Sequence, residues 1–294
     1  MARVLVIANK DFEVQPLLGL LASRKVRPKA LPAPTSIELM DPQRSSAPRP
    51  RVVLAANGIT TEVWCVSDLL DDPRSSSTLE KQTRIPRIVV GEQPSLVMAL
   101  GTGSNPREES LNGCVALGTQ VFAVDPWTHR TGLTPSPRAT DLRIETLVPS
   151  ALPAGWIRKL GEDVRYAAEG RFLSSPIDPD PTPRIVAVQD QVALNTWNIT
   201  NYDDYAWADG VVTRRFSAAG TGFPIGSVET THALIRLALP DTVPFLWVTG
   251  ISNRMGAFDL EVGPRAYAQD FVAAHNAGVT ALNLLAALVL RGRV

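Results

Sequence analysis

The chain opens on RVLVIA (3–8), apolar at every position after Arg3 and of strand length. With no polar alternation, it predicts a strand covered on both faces. The period then changes. In DFEVQPLLGLLASRKV (11–26), Val14, Leu17, Leu18 and Leu21 recur at helical spacing, and Pro16 is placed near the helix start, where its missing N–H is harmless. PRVVLAA (50–56) and TEVWCV (61–66) read as two strands joined by a hairpin at Asn57-Gly58. SLVMALGTGS (95–104) reads as a buried strand ending in a glycine-rich turn. CVALGTQVFAVD (114–125), RIVAVQDQV (184–192) and FLWVTGIS (245–252) read as further strands, and PRAYAQDFVAAHNAGVTALNLLAALVLRG (264–292) as a long helix. RSSSTLEKQTRIPRIVVGEQ (74–93) fits a helix or a loop. In FPIGSVETTHALIRLAL (223–239), Val228, Ala233, Leu234, Leu237 and Ala238 recur at helical spacing, which predicts a helix capped by Ser227 with Glu229 in its first turn. Prolines crowd 126–183; one helix is expected there from near Ala154, a loop over 174–183, and a short helix beyond it over 201–210.

Strands alternating with helices predict an α/β fold with a mainly parallel sheet. No linker or repeat divides the 294 residues, so a single domain over 1–294 is expected. Lys+Arg and Asp+Glu both number 29, a neutral balance that argues against a general nucleic-acid or anionic-membrane surface. Cys65 and Cys114 are far apart and read as buried thiols in a reducing compartment. The N-terminus lacks a signal-peptide pattern, and ALNLLAALVL (281–290) is too short to span a bilayer. The expectation is a soluble, cytoplasmic protein with no membrane and no nucleic-acid partner.

Ligands of α/β folds bind beyond the C-terminal ends of strands. Polar residues collect at such ends in ANKDFE, GTGSN, QDQ, GISNR and GSVETT. LGTGSNP lacks the third glycine of a dinucleotide fingerprint and runs into Pro106, and neither a P-loop, a zinc motif nor a nucleophile elbow is present. His232 and His275 fall on helical patterns and read as satisfied histidines, whereas His129 lies in a loop. Asp11 and Glu13 follow the first strand. Each reads as a first-turn acid matched to the helix dipole, or as a buried base for water.

Five short motifs occur in order. Glu13-Val14 follows a buried strand, and Gly101-Thr102-Gly103-Ser104 ends a second. VAVQDQV contains Asp190, Gln191 and Val192. GSVETTHA contains Val228 and Glu229, and VTGISNR contains Asn253 and Arg254. Together, from about residue 3 to residue 290, they resemble the purine nucleoside phosphorylase and uridine phosphorylase superfamily, which includes the methylthioadenosine/S-adenosylhomocysteine nucleosidases. The resemblance implies a three-layer αβα fold with a central mixed, partly barrel-like sheet. It implies cleavage of an N-glycosidic bond, with Glu13 orienting water and Asn253 at the base as the catalytic pair. Thr102, Gly103, Ser104, Asp190, Gln191 and Val192 would line the substrate. Val228 would pack on the sugar, Glu229 would accept hydrogen bonds from two ribose hydroxyls, and Arg254 would sit beside Asn253. No metal and no cofactor are implied, only a small-molecule nucleoside and, in a phosphorylase, phosphate as co-substrate. A homo-oligomer (dimer, trimer or hexamer) is also implied.

The chain departs from the family pattern at four points. Asn253 replaces the nucleosidases' acidic Asp, Val192 an aromatic residue, Val228 a methionine, and Ser104 follows where a second glycine is usual. Hydrolysis is preferred, because Asp11 and Glu13 repel a phosphate dianion. A phosphorylase, and a catalytically weakened nucleoside- or nucleotide-binding protein, stand as alternatives.

Overall fold

The computed structural model describes residues 2–22, 36–39, 47–56, 58–73, 77–105, 112–124, 185–187, 192–196, 225–257 and 268–290. The helices expected near Ala154 and over 201–210, the loop 174–183, His129, Asp190 and Gln191 lie outside these residues.

Strand β1 (Ala2–Ala8) forms as expected and sits between two parallel neighbours, β4 (Ile59–Cys65) and β5 (Leu96–Asn105). β3 (Val52–Ala56) pairs antiparallel with β4, with Gly58 at φ +77° just before β4, and β2 (Ser36–Leu39) adds an edge strand. On its other side β5 pairs parallel with β11 (Phe245–Arg254), and β11 pairs antiparallel with β6 (Val115–Gly118). β7 (Gln120–Val124) pairs with β9 (Val192–Thr196), β9 with β10 (Ile225–Glu229), and β8 (Ile185–Ala187) with β6. All eleven described strands belong to one mixed sheet. It curls as a partial barrel: β5–β11–β6 continues through the chain at Thr119 into β7–β9–β10 and back to β5. No ladder joins β6 to β7, so the sheet is not closed.

Helices cover both faces. On one face, α1 (Asp11–Ala22) and α4 (Ala268–Leu290) pack Val14, Leu17, Leu20, Ala277, Ala281 and Leu284 against Val4, Val6, Met98 and Val248. On the other, Ala233, Leu234 and Ile235 of α3 (His232–Leu237), with Ile85 and Ile88, cover Leu5, Ile7, Val97, Ala99 and Trp247. This is the expected three-layer αβα arrangement. No helix among the described residues is long and apolar enough to cross a membrane. Cys65 and Cys114 are buried free thiols, and burial pushes the Cys65 thiol up to about 12.

Three local expectations are corrected, and one open alternative is decided. Pro16 lies inside α1, beyond the first turn, where it removes one intrahelical hydrogen bond. Gly101 and Gly103 form no turn; β5 runs through them to Asn105. The segment after Phe223 is a strand before it is a helix. Val228 pairs with Ser104 and Leu194, so Ser227 and Glu229 belong to β10, and helix begins only at His232. This long-range pairing overrides the local helical spacing. The undecided stretch contains helix α2 (Thr78–Arg84), capped by the Ser77 side chain, followed by a 3-10 turn at Ile85–Ile88.

One seam in this sheet brings distant parts of the chain together. β1 pairs with β5 only as far as Leu100, and β10 takes over the same edge of β5 at Ser104 from the opposite direction. The ends of β1 and β10 therefore face each other beside Gly101 and Thr102, and α1 and α3 start there.

Candidate active site

Glu13, the third residue of α1, turns back over the seam. Its Oε2 accepts the backbone N–H groups of Asn9 (3.0 Å) and Lys10 (2.9 Å), as a capping carboxylate does. Its Oε1 reaches across the sheet to accept the N–H (2.7 Å) and hydroxyl (2.9 Å) of Thr102. Asp11 stays at the surface, paired with Arg51.

Glu229 mirrors this arrangement from the other strand. Its Oε2 accepts the backbone N–H groups of Thr231 and His232 (2.8 Å), capping α3, and its Oε1 lies 3.9 Å from His232 Nδ1. Gly103 makes the approach of β10 possible, since a Cβ there would lie 2.5 Å from the Val228 carbonyl oxygen and 3.3 Å from Glu229 Cβ.

The cluster also holds groups that the sequence did not single out as functional. Lys81, on α2, is fully buried, and its Nζ donates to the hydroxyls of Thr230 (3.2 Å) and Thr231 (3.1 Å). Asn9 Nδ2 lies 3.4 Å from the same Thr230 hydroxyl. His232, read as a satisfied histidine, is buried with Nδ1 3.4 Å from Thr249 Oγ1 and with no hydrogen bond to Nε2 among the described residues. Asp270, in the first turn of α4, is buried beside Ser252. A lone Lys in a polar stretch and an Asp at a helix start carry no local signal; only the tertiary fold brings them inward.

Asn253 and Ser104 are neighbours on β11 and β5. Asn253 Nδ2 donates to Ser104 Oγ (2.9 Å) and to the Arg254 carbonyl (2.7 Å), and its Oδ1 accepts from Ser252 Oγ (2.7 Å). The amide is engaged within the protein. Val228 is buried, Arg254 is half-buried at the end of β11, and Val192 opens β9. The structure thus unites Glu13, Thr102, Gly103, Val228 and Glu229 at the seam, with Ser104, Asn253 and Arg254 further along β5 and β11.

Burial dominates the electrostatics. It raises the Glu13 carboxyl above its ordinary value, against the pull of the Lys10 and Thr102 hydrogen bonds. It pushes Glu229 up to about 8, opposed by the Thr231 and His232 N–H groups, and Asp270 up to about 7, with the Glu13 charge adding to the rise. Burial lowers Lys81 to about 7, with Lys10 adding to the fall and Glu229 and Glu13 opposing it. It lowers His232 to about 3, so the imidazole is neutral.

These shifts set a pH dependence. Glu229 and Asp270 hold protons in the folded state that the unfolded chain has released, so their stabilisation is complete below about 4 and is lost as pH rises through 7 to 8. Lys81 acts oppositely, but only above about 7. The midpoint of thermal unfolding is therefore expected to fall by several degrees between pH 5 and pH 8. The Glu229→Gln, Asp270→Asn double variant should flatten that slope, and calorimetry across this range checks both statements.

No protein-family model matches the chain, and no curated protein matches it. Solved structures do match over nearly its whole length. The 5′-methylthioadenosine/S-adenosylhomocysteine nucleosidase of Neisseria meningitidis shares 14% identity at a TM-score of 0.54, covering 98% of this chain and 100% of its own. The futalosine hydrolase of Helicobacter pylori shares 10% at 0.56, with 97% of each chain covered. A methylthioadenosine phosphorylase from an antarctic soil metagenomic library shares 9% at 0.54, covering 100% of this chain and 88% of its own. At these identities the likeness establishes the fold.

Proposed function

We propose that this chain, which has the fold of the nucleoside phosphorylase and nucleosidase superfamily, cleaves the N-glycosidic bond of a nucleoside or nucleoside-like substrate, with water as the nucleophile. The observation that supports this most is the Glu13 carboxylate. It is drawn from α1 across β1 and fixed by both donors of Thr102, at the seam where Glu229 arrives from the far end of the chain.

The chemistry follows from charge. As the bond to the base breaks, positive charge develops on the sugar. The Glu13 carboxylate, fixed in place by its four donors, stabilises this charge without reorganisation, and Glu229, whose carboxyl burial pushes up to about 8, adds to it only above that pH. Glu229 holds the sugar side. Glu13, its basicity raised by burial, takes a proton from the attacking water. The Glu13 carboxylate disfavours a phosphate dianion, which is why water is preferred over phosphate.

A reaction in 18O-labelled water with phosphate present tests the choice of nucleophile. The expected product is free sugar labelled at the anomeric oxygen; sugar 1-phosphate as the product would make the protein a phosphorylase. One observation favours a second reading, binding with little turnover: both Nδ2 donors of Asn253 are engaged, so serving the base requires exchanging one of them.

A further inference from the structure

We propose that Lys81 is a positioning residue for the proposed hydrolysis: from α2 its ammonium ties together the turns that carry Glu13 and Glu229 and favours the carboxylate form of Glu229 that receives the sugar. This deepens the hydrolytic reading of the same site and rests on it.

The placement of Lys81 is the first observation. α2 buries Lys81 completely and leaves Leu79 69% exposed. An apolar side chain would fill the inward position at far lower cost, because a buried ammonium gives up its hydration and must be partnered inside the protein. The packing of α2 therefore does not account for a lysine there.

Its partners are the second observation. Lys81 Nζ donates to Thr230 Oγ1 (3.2 Å) and Thr231 Oγ1 (3.1 Å), on the two residues that follow Glu229. Thr231 is the N-cap of α3, a place where a threonine hydroxyl ordinarily accepts a backbone N–H, yet its side chain makes no such bond. The hydroxyl serves Lys81 instead, and the Glu229 carboxylate takes over the cap by accepting the N–H groups of Thr231 and His232. On the other side, Asn9 joins Thr230 to Glu13. Its Nδ2 donates to Thr230 Oγ1 (3.4 Å), and its backbone N–H donates to Glu13 Oε2 (3.0 Å). One set of hydrogen bonds thus runs from Glu13 to Glu229, and Lys81 bridges its middle.

Charge is the third observation. The charged groups facing Lys81 are Lys10, Glu13 and Glu229. Those facing Glu229 are Lys81 and Glu13, while the His232 imidazole beside it is neutral. Lys81 opposes the rise that burial imposes on both glutamates, and the glutamates oppose the fall that burial imposes on Lys81. Each charge favours the other. Removing Lys81 raises both carboxyls further, so Glu229 becomes an anionic acceptor for the sugar only at a higher pH.

Two variants separate charge from geometry. Lys81→Met keeps the length of the side chain and removes its charge and its donors. Thr231→Val removes one acceptor and keeps the charge. With a nucleoside that the wild type hydrolyses, Lys81→Met is expected to raise KM about 10-fold with kcat within about threefold, and to move the rise of kcat/KM with pH up by about one unit. Thr231→Val is expected to raise KM by a smaller factor and to leave that rise in place. A merely structural lysine would lower the unfolding midpoint and move neither KM nor the pH profile of the folded variant.

13C NMR of protein labelled at the glutamate side-chain carboxyl reads the charge without turnover. The Glu229 signal, identified as the one lost in Glu229→Gln, is expected to titrate about one unit higher in Lys81→Met. Where Lys81→Met does not fold, 15N NMR of the lysine side chains gives the reciprocal reading: Lys81 is expected to titrate about one unit lower in Glu229→Gln than in the wild type. An unmoved Glu229 signal in Lys81→Met, an unmoved Lys81 signal in Glu229→Gln, or a wild-type KM in Lys81→Met overturns the proposal. Wild-type protein that releases no base from any nucleoside overturns the hydrolytic reading instead, and the two titrations still decide whether Lys81 sets the charge of Glu229.

Discussion

Glu13→Gln is expected to reduce base release about 1,000-fold, the scale of a lost general base. The substitution keeps the shape of the side chain but removes its basicity. It also disturbs the local hydrogen bonding, because all four contacts to the carboxylate come from donors: the N–H groups of Asn9, Lys10 and Thr102, and the Thr102 hydroxyl. A carboxylate accepts all four, whereas an amide must point its own NH2 at one pair. Glu13→Gln should therefore also destabilise the fold by about 1–3 kcal/mol. Single-turnover kinetics on protein shown to be folded by circular dichroism separate the two effects. Activity within a few-fold of wild type would reduce Glu13 to a helix cap.

Gly250→Ala is expected to be the most damaging single methyl group in the structure. Gly250 lies in the middle of β11 under α4, and a Cβ there would sit 1.9 Å from the Ala273 carbonyl oxygen and 2.4 Å from its carbon. The obstacle is helix backbone, which cannot rotate aside as a side chain can. α4 would have to lift from the sheet, separating Ala277 and Ala281 from Val248 and Met98. A loss of more than about 3 kcal/mol is expected in urea unfolding, beyond the usual range for overpacking. Gly19→Ala is the contrast. Gly19 sits in exposed helix with nothing within 4 Å of a Cβ, so the same change there should stabilise by about 0.5–1 kcal/mol. Equal effects at the two positions would contradict the packing of α4 on β11.

The strands were readable where burial on both faces left unbroken apolar runs, as in Val4–Ala8 and Leu96–Leu100, and where Asn57-Gly58 signalled a hairpin. β10 was not, because Ser227-Val228-Glu229 becomes a strand only by pairing with β5 and β9, residues far away in the chain. The spacing of Val228 with the helix beyond it imitated one longer helix. The same gap between local and tertiary information runs through the site. Glu13, Thr102 and Glu229 could be picked out because their short motifs occur in a familiar order. Lys81, His232 and Asp270 could not. Each is a common residue on a helix, and its burial depends on the meeting of β1 and β10 along one edge of β5. That meeting also lets one oxygen of Glu229 cap α3.

The most direct measurement is release of free base from a panel of purine and pyrimidine nucleosides, 5′-methylthioadenosine and nucleotides, each incubated with the protein in the absence of phosphate. The expected result is base release from at least one member of the panel, abolished by Glu13→Gln. No release from any member, or release that Glu13→Gln leaves intact, would contradict the assignment of the Glu13–Glu229 seam as a site of N-glycosidic hydrolysis.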